Sequence, residues 1–135
     1  MAVFVKFYPF VEALAEKAHN LGSDQLAVAL TNSAPTQSMA ALSEVTEITY
    51  TNLSSRNITT STSAQTTGTY KLVLTDLVLT ASGAVGPFRY AVIYNDTSVT
   101  DLLIGYYDYG SSISLANGET LTLDFDATNG VLQLA

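Results

Sequence analysis

A single histidine, His19, limits the acid–base chemistry open to this 135-residue chain. A Ser-His-Asp site needs an imidazole to take the nucleophile's proton. His19 falls where a helix is expected to end, so a capping or surface role is expected of it. There is no cysteine, which excludes disulfides and any zinc site built from histidine and cysteine within one chain. The stretch Asp124-Phe125-Asp126-Ala127-Thr128-Asn129-Gly130 superficially resembles a calcium loop. Calcium takes roughly six to eight oxygen ligands, and the sequence stops before an EF-hand would place its bidentate glutamate. Asn129-Gly130 is more simply a turn. Asp124 and Asp126 could serve as a glycosidase pair. They flank Phe125 on one outward strand face, however, so a solvated edge is expected. Tyr106, Tyr107 and Tyr109, with Tyr90 and Tyr94, form an aromatic group suited either to core or to an interface with the hydroxyls kept wet. No glycine-rich phosphate loop is present. Three Asn-X-Ser/Thr matches (Asn52, Asn57 and Asn95) are expected by chance in so hydroxyl-rich a chain.

Composition narrows the classes further. The net charge is −7, and the five cations Lys6, Lys17, Arg56, Lys71 and Arg89 are scattered. A nucleic-acid binder would show a basic stripe, so none is expected as partner. No run of about 18 apolar residues suggests a membrane span. The apolar start, Met1 to Pro9, meets Glu12, Glu16 and Lys17 too early for a secretory signal. A soluble, unprocessed protein is expected. Forty-seven per cent apolar content supports a folded core, and the length suits one domain over residues 1–135. Solubility rests on hydroxyls, since 31 residues are Ser or Thr.

The elements that must position these residues are mostly strands. The spacing predicts one helix over residues 9–20, with Pro9 in its first turn and Val11, Leu14, Ala18 and Leu21 on the buried stripe. Glu12 would complement its positive end and Lys17 and His19 its negative end, with Gly22 as the stop. Residues 2–8 could form a strand or an extended arm. Residues 24–31 read as a strand with Leu26, Val28 and Leu30 on one face. Residues 32–47 are irregular, with a helical turn near 39–44. Residues 49–69 hold twelve Ser or Thr and suggest an edge strand plus loop, or a surface segment that orders against a neighbour.

From Thr69 alternation becomes regular. Tyr70, Leu72 and Leu74 share a face, and the phase slips at Thr75-Asp76, which predicts a bulge or corner. Residues 87–95 and 102–109 are apolar on both faces and are expected to be central strands. A three-residue connection at Ala116-Asn117-Gly118, a type I turn closed by a glycine bulge at Gly118, would pair Ile113 with Leu121. A four-residue connection at Ala127 to Gly130 would pair Phe125 with Leu132 and Leu123 with Leu134. The sum is a mainly β fold: an antiparallel β-sandwich (jelly-roll-like, 24–135) with one N-terminal α-helix (arm and helix, 1–22).

The segments His19 to Asp24, Leu26 to Asn32, Ala34-Pro35, Gly68 to Leu74, Gly86 to Val92, Leu103 to Ser112 and Asn117 onward resemble small structural proteins of tailed bacteriophages and prophages. Within that group the chain is similar to capsid decoration, or cement, proteins. The resemblance covers most of the chain outside residues 36–67 and carries no catalytic signature. It implies a virion protein, made in the bacterial host cytoplasm, that binds the outside of the assembled capsid and bridges major capsid subunits. It implies no enzyme activity and no cofactor. It also implies self-association as a dimer or trimer on the shell. The apolar segment Val3 to Phe10 would then bury Phe4, Phe7, Tyr8 and Phe10 against capsid or a second copy, or else close the domain's own core. Tyr107 and Tyr109 are the other candidate partner-binding residues. A tail or baseplate component and a carbohydrate- or receptor-binding module are the alternatives.

Overall fold

The computed structural model describes residues 2–135. Its elements in chain order are β1 (Phe4–Lys6), α1 (Tyr8–Ala15), β2 (Leu26–Thr31), a 3₁₀ turn (Leu42–Glu44), β3 (Asn57–Ile58), β4 (Thr60–Thr66), β5 (Thr69–Leu74), β6 (Leu77–Thr80), β7 (Val85–Asn95), β8 (Leu103–Leu115), β9 (Thr120–Leu123) and β10 (Leu132–Leu134). The fold is mainly β with antiparallel pairing throughout and one α-helix. A five-stranded sheet has the order β1-β8-β7-β2-β3, a three-stranded sheet β10-β5-β4, and a two-stranded ribbon joins β6 to β9. Leu72 and Leu74 of β5, Leu79 of β6 and Leu123 of β9 share one core with β2, β7 and β8, so the sheets are layered in a sandwich-like way.

Sequence pattern explains the layering. β2 and β7 lie inside the large sheet, and all six residues of β2 are buried. Apolar residues on both faces are what a doubly covered strand requires. Cross-strand rows run Phe4–Tyr107–Ala91–Leu30 on one face and Val5–Tyr106–Val92–Ala29 on the other. The first row meets the C-terminal segment, where the Tyr107 and Phe125 rings lie 6.1 Å apart. The second takes Phe7, whose ring is 5.3 Å from Tyr106. The phase slip at Thr75-Asp76 is the corner at which the chain leaves the three-stranded sheet for the ribbon. The helical turn expected near 39–44 is the 3₁₀ turn.

Several local expectations are corrected. The helix ends at Ala15 rather than at residue 20, because Lys17 takes a left-handed φ of 71° and turns the chain. Its inward side is Phe10 with Leu14, four residues apart, while Val11 is half exposed. Lys17 and His19 therefore lie beyond the helix end. Ile113 does not pair with Leu121. β8 continues through a bend at Gly110 (φ 84°), and Ile113 pairs with Phe88 and Leu115 with Val85. β9 is thereby free to pair with β6, Leu121 opposite Leu79. β10 adds to β5, with Leu132 opposite Leu72 and Leu134 opposite Tyr70, so the Phe125–Leu132 and Leu123–Leu134 hairpin does not form. The turn at Ala116–Glu119 closes with a 2.9 Å bond from the Glu119 N–H to the Ala116 carbonyl. Gly118 at its third position has φ 86°, the type II signature.

Candidate functional site

The N-terminal segment is built into the sheet. β1 is the outer strand beside β8, with Phe4 opposite Tyr107 and Lys6 opposite Gly105. The Phe4 ring packs directly over Gly105, and a Cβ at that position would displace it. Phe7 is fully buried and Phe10 nearly so. The Phe7 N–H donates to the Ile104 carbonyl at 3.1 Å. Of the two roles open to this segment, Phe4, Phe7 and Phe10 take the second: they close the chain's own core. Tyr8 is different. It is 62% exposed, and with Val11 (50%) it forms an apolar pair on the outer side of α1 at a spacing of three. Val3, 75% exposed, precedes β1.

Tyr107 and Tyr109 lie side by side at an open cleft of about 440 Å³, lined also by Ala2, Asp108, Thr122, Asp124 and Phe125. Tyr107 is mostly core, with its ring edge against Phe4 at 5.6 Å. Tyr109 is half-buried. Among the described residues neither hydroxyl has a hydrogen-bond partner. Burial raises the Tyr107 phenol well above its ordinary range, helped by Tyr109 and the acids Asp126 and Asp124. Burial and then Asp124 push Tyr109 up to about 12. Both are neutral phenols at physiological pH, able to donate or accept one hydrogen bond. Asp108 is held by Arg89 across the strands, with Nε to Oδ1 at 2.8 Å and Nη2 to Oδ2 at 3.1 Å. That pairing keeps the Asp108 carboxyl below its usual range.

Asp126 serves the turn that follows it. Its Oδ1 accepts the N–H groups of Thr128 and Asn129, both at 2.8 Å, and its Oδ2 accepts the Asn129 amide at 3.1 Å. These bonds lower its pKa. The carboxylate is thus an Asx-turn acceptor, as the Asn129-Gly130 sequence suggests. Asp124 is exposed on the cleft rim. Among the described residues no three His, Asp or Glu side chains stand close enough to hold a metal ion. No helix there is long and apolar enough to cross a membrane.

His19 is neither a cap nor a surface residue; it is 6% exposed. Its Nδ1 lies 2.9 Å from Asn95 Nδ2, which also donates to Asp24 Oδ2 at 2.7 Å. Asn95 Oδ1 accepts the N–H groups of Thr97 and Ser98 at 3.0 and 3.2 Å. Those two backbone donors fix the amide orientation, so Nδ2 must face the imidazole and His19 Nδ1 must accept. The neutral ring then carries its proton on Nε2, which is buried without a partner. Burial lowers the His19 pKa, and Asp24 offsets part of that. The trio pins the loop after α1 to the end of β7. Sequence spacing gave no sign of this, because Asn95 is 76 residues from His19. A second cluster was equally hidden. The Arg56 guanidinium lies 3.7 Å over the Tyr50 ring and donates to the Val28 carbonyl at 2.6 Å, covering the large sheet near β2.

Compared with protein-family models, with curated proteins and with solved structures, the chain gives no match.

Proposed function

We propose that this protein is a non-catalytic virion component, a head decoration protein of a tailed bacteriophage. It binds the outside of the assembled capsid and stabilises contacts between major capsid subunits, and it is made in the bacterial host cytoplasm. Three lines support the reading: the resemblance of seven sequence segments, the sandwich-like β scaffold, and the division of labour among side chains. That division carries the proposal. The one histidine, both arginines (Arg56 and Arg89), and Asp24, Asp108 and Asp126 are tied into contacts within the fold. Around the N-terminal element, exposed apolar surface remains on Val3, Tyr8 and Val11. Binding to assembled shell but not to dissociated subunits stabilises the shell by linkage, and many symmetric copies strengthen attachment. Self-association on the shell fits the same role.

The test is attachment. Tyr8→Ser with Val11→Ser removes exposed apolar surface and leaves the buried Phe7 and Phe10 in place. The double variant is expected to fold normally and to lose binding to heads stripped of the protein. Retained binding removes this face from the proposal. In purified particles the protein is expected in numbers near those of the major capsid protein; a few copies per particle would favour a tail or baseplate component.

The cleft beside Tyr109 favours one second reading, a carbohydrate- or receptor-binding module. Two neutral phenols and the exposed Asp124 carboxylate could hydrogen-bond sugar hydroxyls there. Binding on a glycan array that disappears in Tyr109→Ala, a substitution milder for the core than one at Tyr107, would support it.

A further inference from the structure

Residues 57–70 contain no charged side chain and no proline, between Arg56 and Lys71. Within them lies β4, the outer strand of the sheet β10-β5-β4. Exposed sheet edges are normally protected by lysine, proline, a covering segment or a bulge, because their open N–H and C=O groups template pairing with another strand. β4 has one such device, a register shift between Thr60 and Thr62. Beyond it five residues, Thr62 to Thr66, run in unbroken register with β5.

The open groups can be assigned. Thr67 and Gly68 have φ values of 48° and 85°, a two-residue turn closing on the Thr66–Thr69 pair. Antiparallel pairing then alternates, so Thr66, Ala64 and Thr62 bond to β5 while Ser63 and Gln65 point their backbone groups outward. Among the described residues no other backbone or side chain hydrogen-bonds to the main chain of Ser63 or Gln65.

We infer that β4 pairs antiparallel with β4 of a second copy, joining two three-stranded sheets into one of six strands. The strand is self-complementary about Ala64. A two-fold axis there sets Ser63 opposite Gln65 of the second copy, and the reverse, exchanging four backbone hydrogen bonds. Thr62 faces Thr66 of the second copy, a favourable cross-strand pair. Ala64 faces its own copy, and its single methyl allows close approach. Charge selects the same place: two molecules of net charge −7 repel except along an uncharged edge. The inference deepens the oligomer part of the virion reading but does not require a shell, so its test is made in free solution.

Ala64→Glu is the discriminating variant. Ala64 lies opposite Lys71 of its own hairpin, so a glutamate there gains an ion-pair partner within the monomer. Across the two-fold axis it meets a second glutamate. Sedimentation of the wild-type chain over a concentration series is expected to show a monomer–dimer equilibrium, and Ala64→Glu only monomer, with the thermal stability of the wild type at concentrations where that too is monomeric. Ala64→Cys supplies an independent reading in a chain without cysteine. Facing Cα atoms in such a pair are about 4.5 Å apart, within disulfide range, so mild oxidation is expected to give a covalent dimer. Gln133→Cys on the opposite edge, β10, is expected to stay monomeric. A wild-type chain that is monomeric at every concentration, a dimer unaffected by Ala64→Glu, or equal crosslinking at residues 64 and 133 would each overturn the inference. Loss of dimer with head attachment intact would leave the virion reading standing.

Discussion

Replacing Asn95 with alanine removes the buried side-chain link between the loop after α1 and the end of β7. Asn95 is fully buried and its side chain makes four hydrogen bonds, two as donor to His19 and Asp24 and two as acceptor from Thr97 and Ser98. Truncation loses all four. The net worth of each is about 1 kcal/mol, and a buried acceptor left without a donor, here His19 Nδ1, costs a further ~1–3 kcal/mol. Asp24 and the two backbone N–H groups are nearer solvent and recover part of their loss through water. The sum is about 3–4 kcal/mol, which in a chain of this size lowers the melting temperature by roughly 10 °C. Urea unfolding of wild type and Asn95→Ala measures it directly, with the midpoint shifted and the slope unchanged. A loss below about 1 kcal/mol would refute the buried-network account and return His19 and Asn95 to ordinary packing.

The same trio sets a pH dependence. His19 is buried neutral, so its folded pKa lies below the ordinary 6.5. Its contribution is fully present above 6.5 and is lost as pH falls from there toward the folded value, because the unfolded chain then binds the extra proton. The slope is at most about 1.4 kcal/mol per pH unit. His19→Asn, which keeps an acceptor for Asn95, is expected to flatten the stability profile just below neutrality; an unchanged profile would contradict the buried neutral ring. Gly130→Ala is expected to cost about 2–3 kcal/mol in thermal or urea unfolding. Gly130 has φ 78°, and an added Cβ would sit 2.5 Å from the Leu72 carbonyl. Deleting residues 2–8 is expected to abolish cooperative unfolding, since it removes β1 and the fully buried Phe7; a folded truncation would show that the segment is only an arm.

Much of the scaffold was legible in the chain because burial imposes local periods. Alternation marked β5, β7 and the start of β8. Apolar residues on both faces marked β7 as central, and the broken phase at Thr75-Asp76 marked the corner. What local pattern does not encode is which strand pairs with which. Pairing neighbours through Asn117-Gly118 and Asn129-Gly130 is reasonable when each turn is considered alone. It fails because β8, continuing past Gly110, takes Ile113 and Leu115 to β7. The hydrophobic surfaces of Leu121 and Leu132 then find β6 and β5. The helix stops short of its sequence pattern for a related reason. The Val11–Leu14–Ala18–Leu21 stripe has helical spacing, but a left-handed Lys17 ends the helix before the second half of that stripe can form. Thr67-Gly68 is a short hairpin signal in the sequence that the surrounding run of hydroxyls masked.

At the candidate sites the gap was wider. Aromatic residues at the N-terminus look alike in sequence whether they seek a partner or a core. Only the fold separates Phe7 and Phe10, buried beneath it, from Tyr8, left outside. The His19–Asn95–Asp24 contact joins residues more than 70 positions apart, beyond the reach of any spacing rule.

The density of an intact particle carrying this protein tests the central proposal most directly. Copies are expected on the outer face of the capsid, seated at contacts between major capsid subunits, with the Tyr8–Val11 side of α1 against the shell. Density for the protein at the tail or baseplate alone would contradict the proposal.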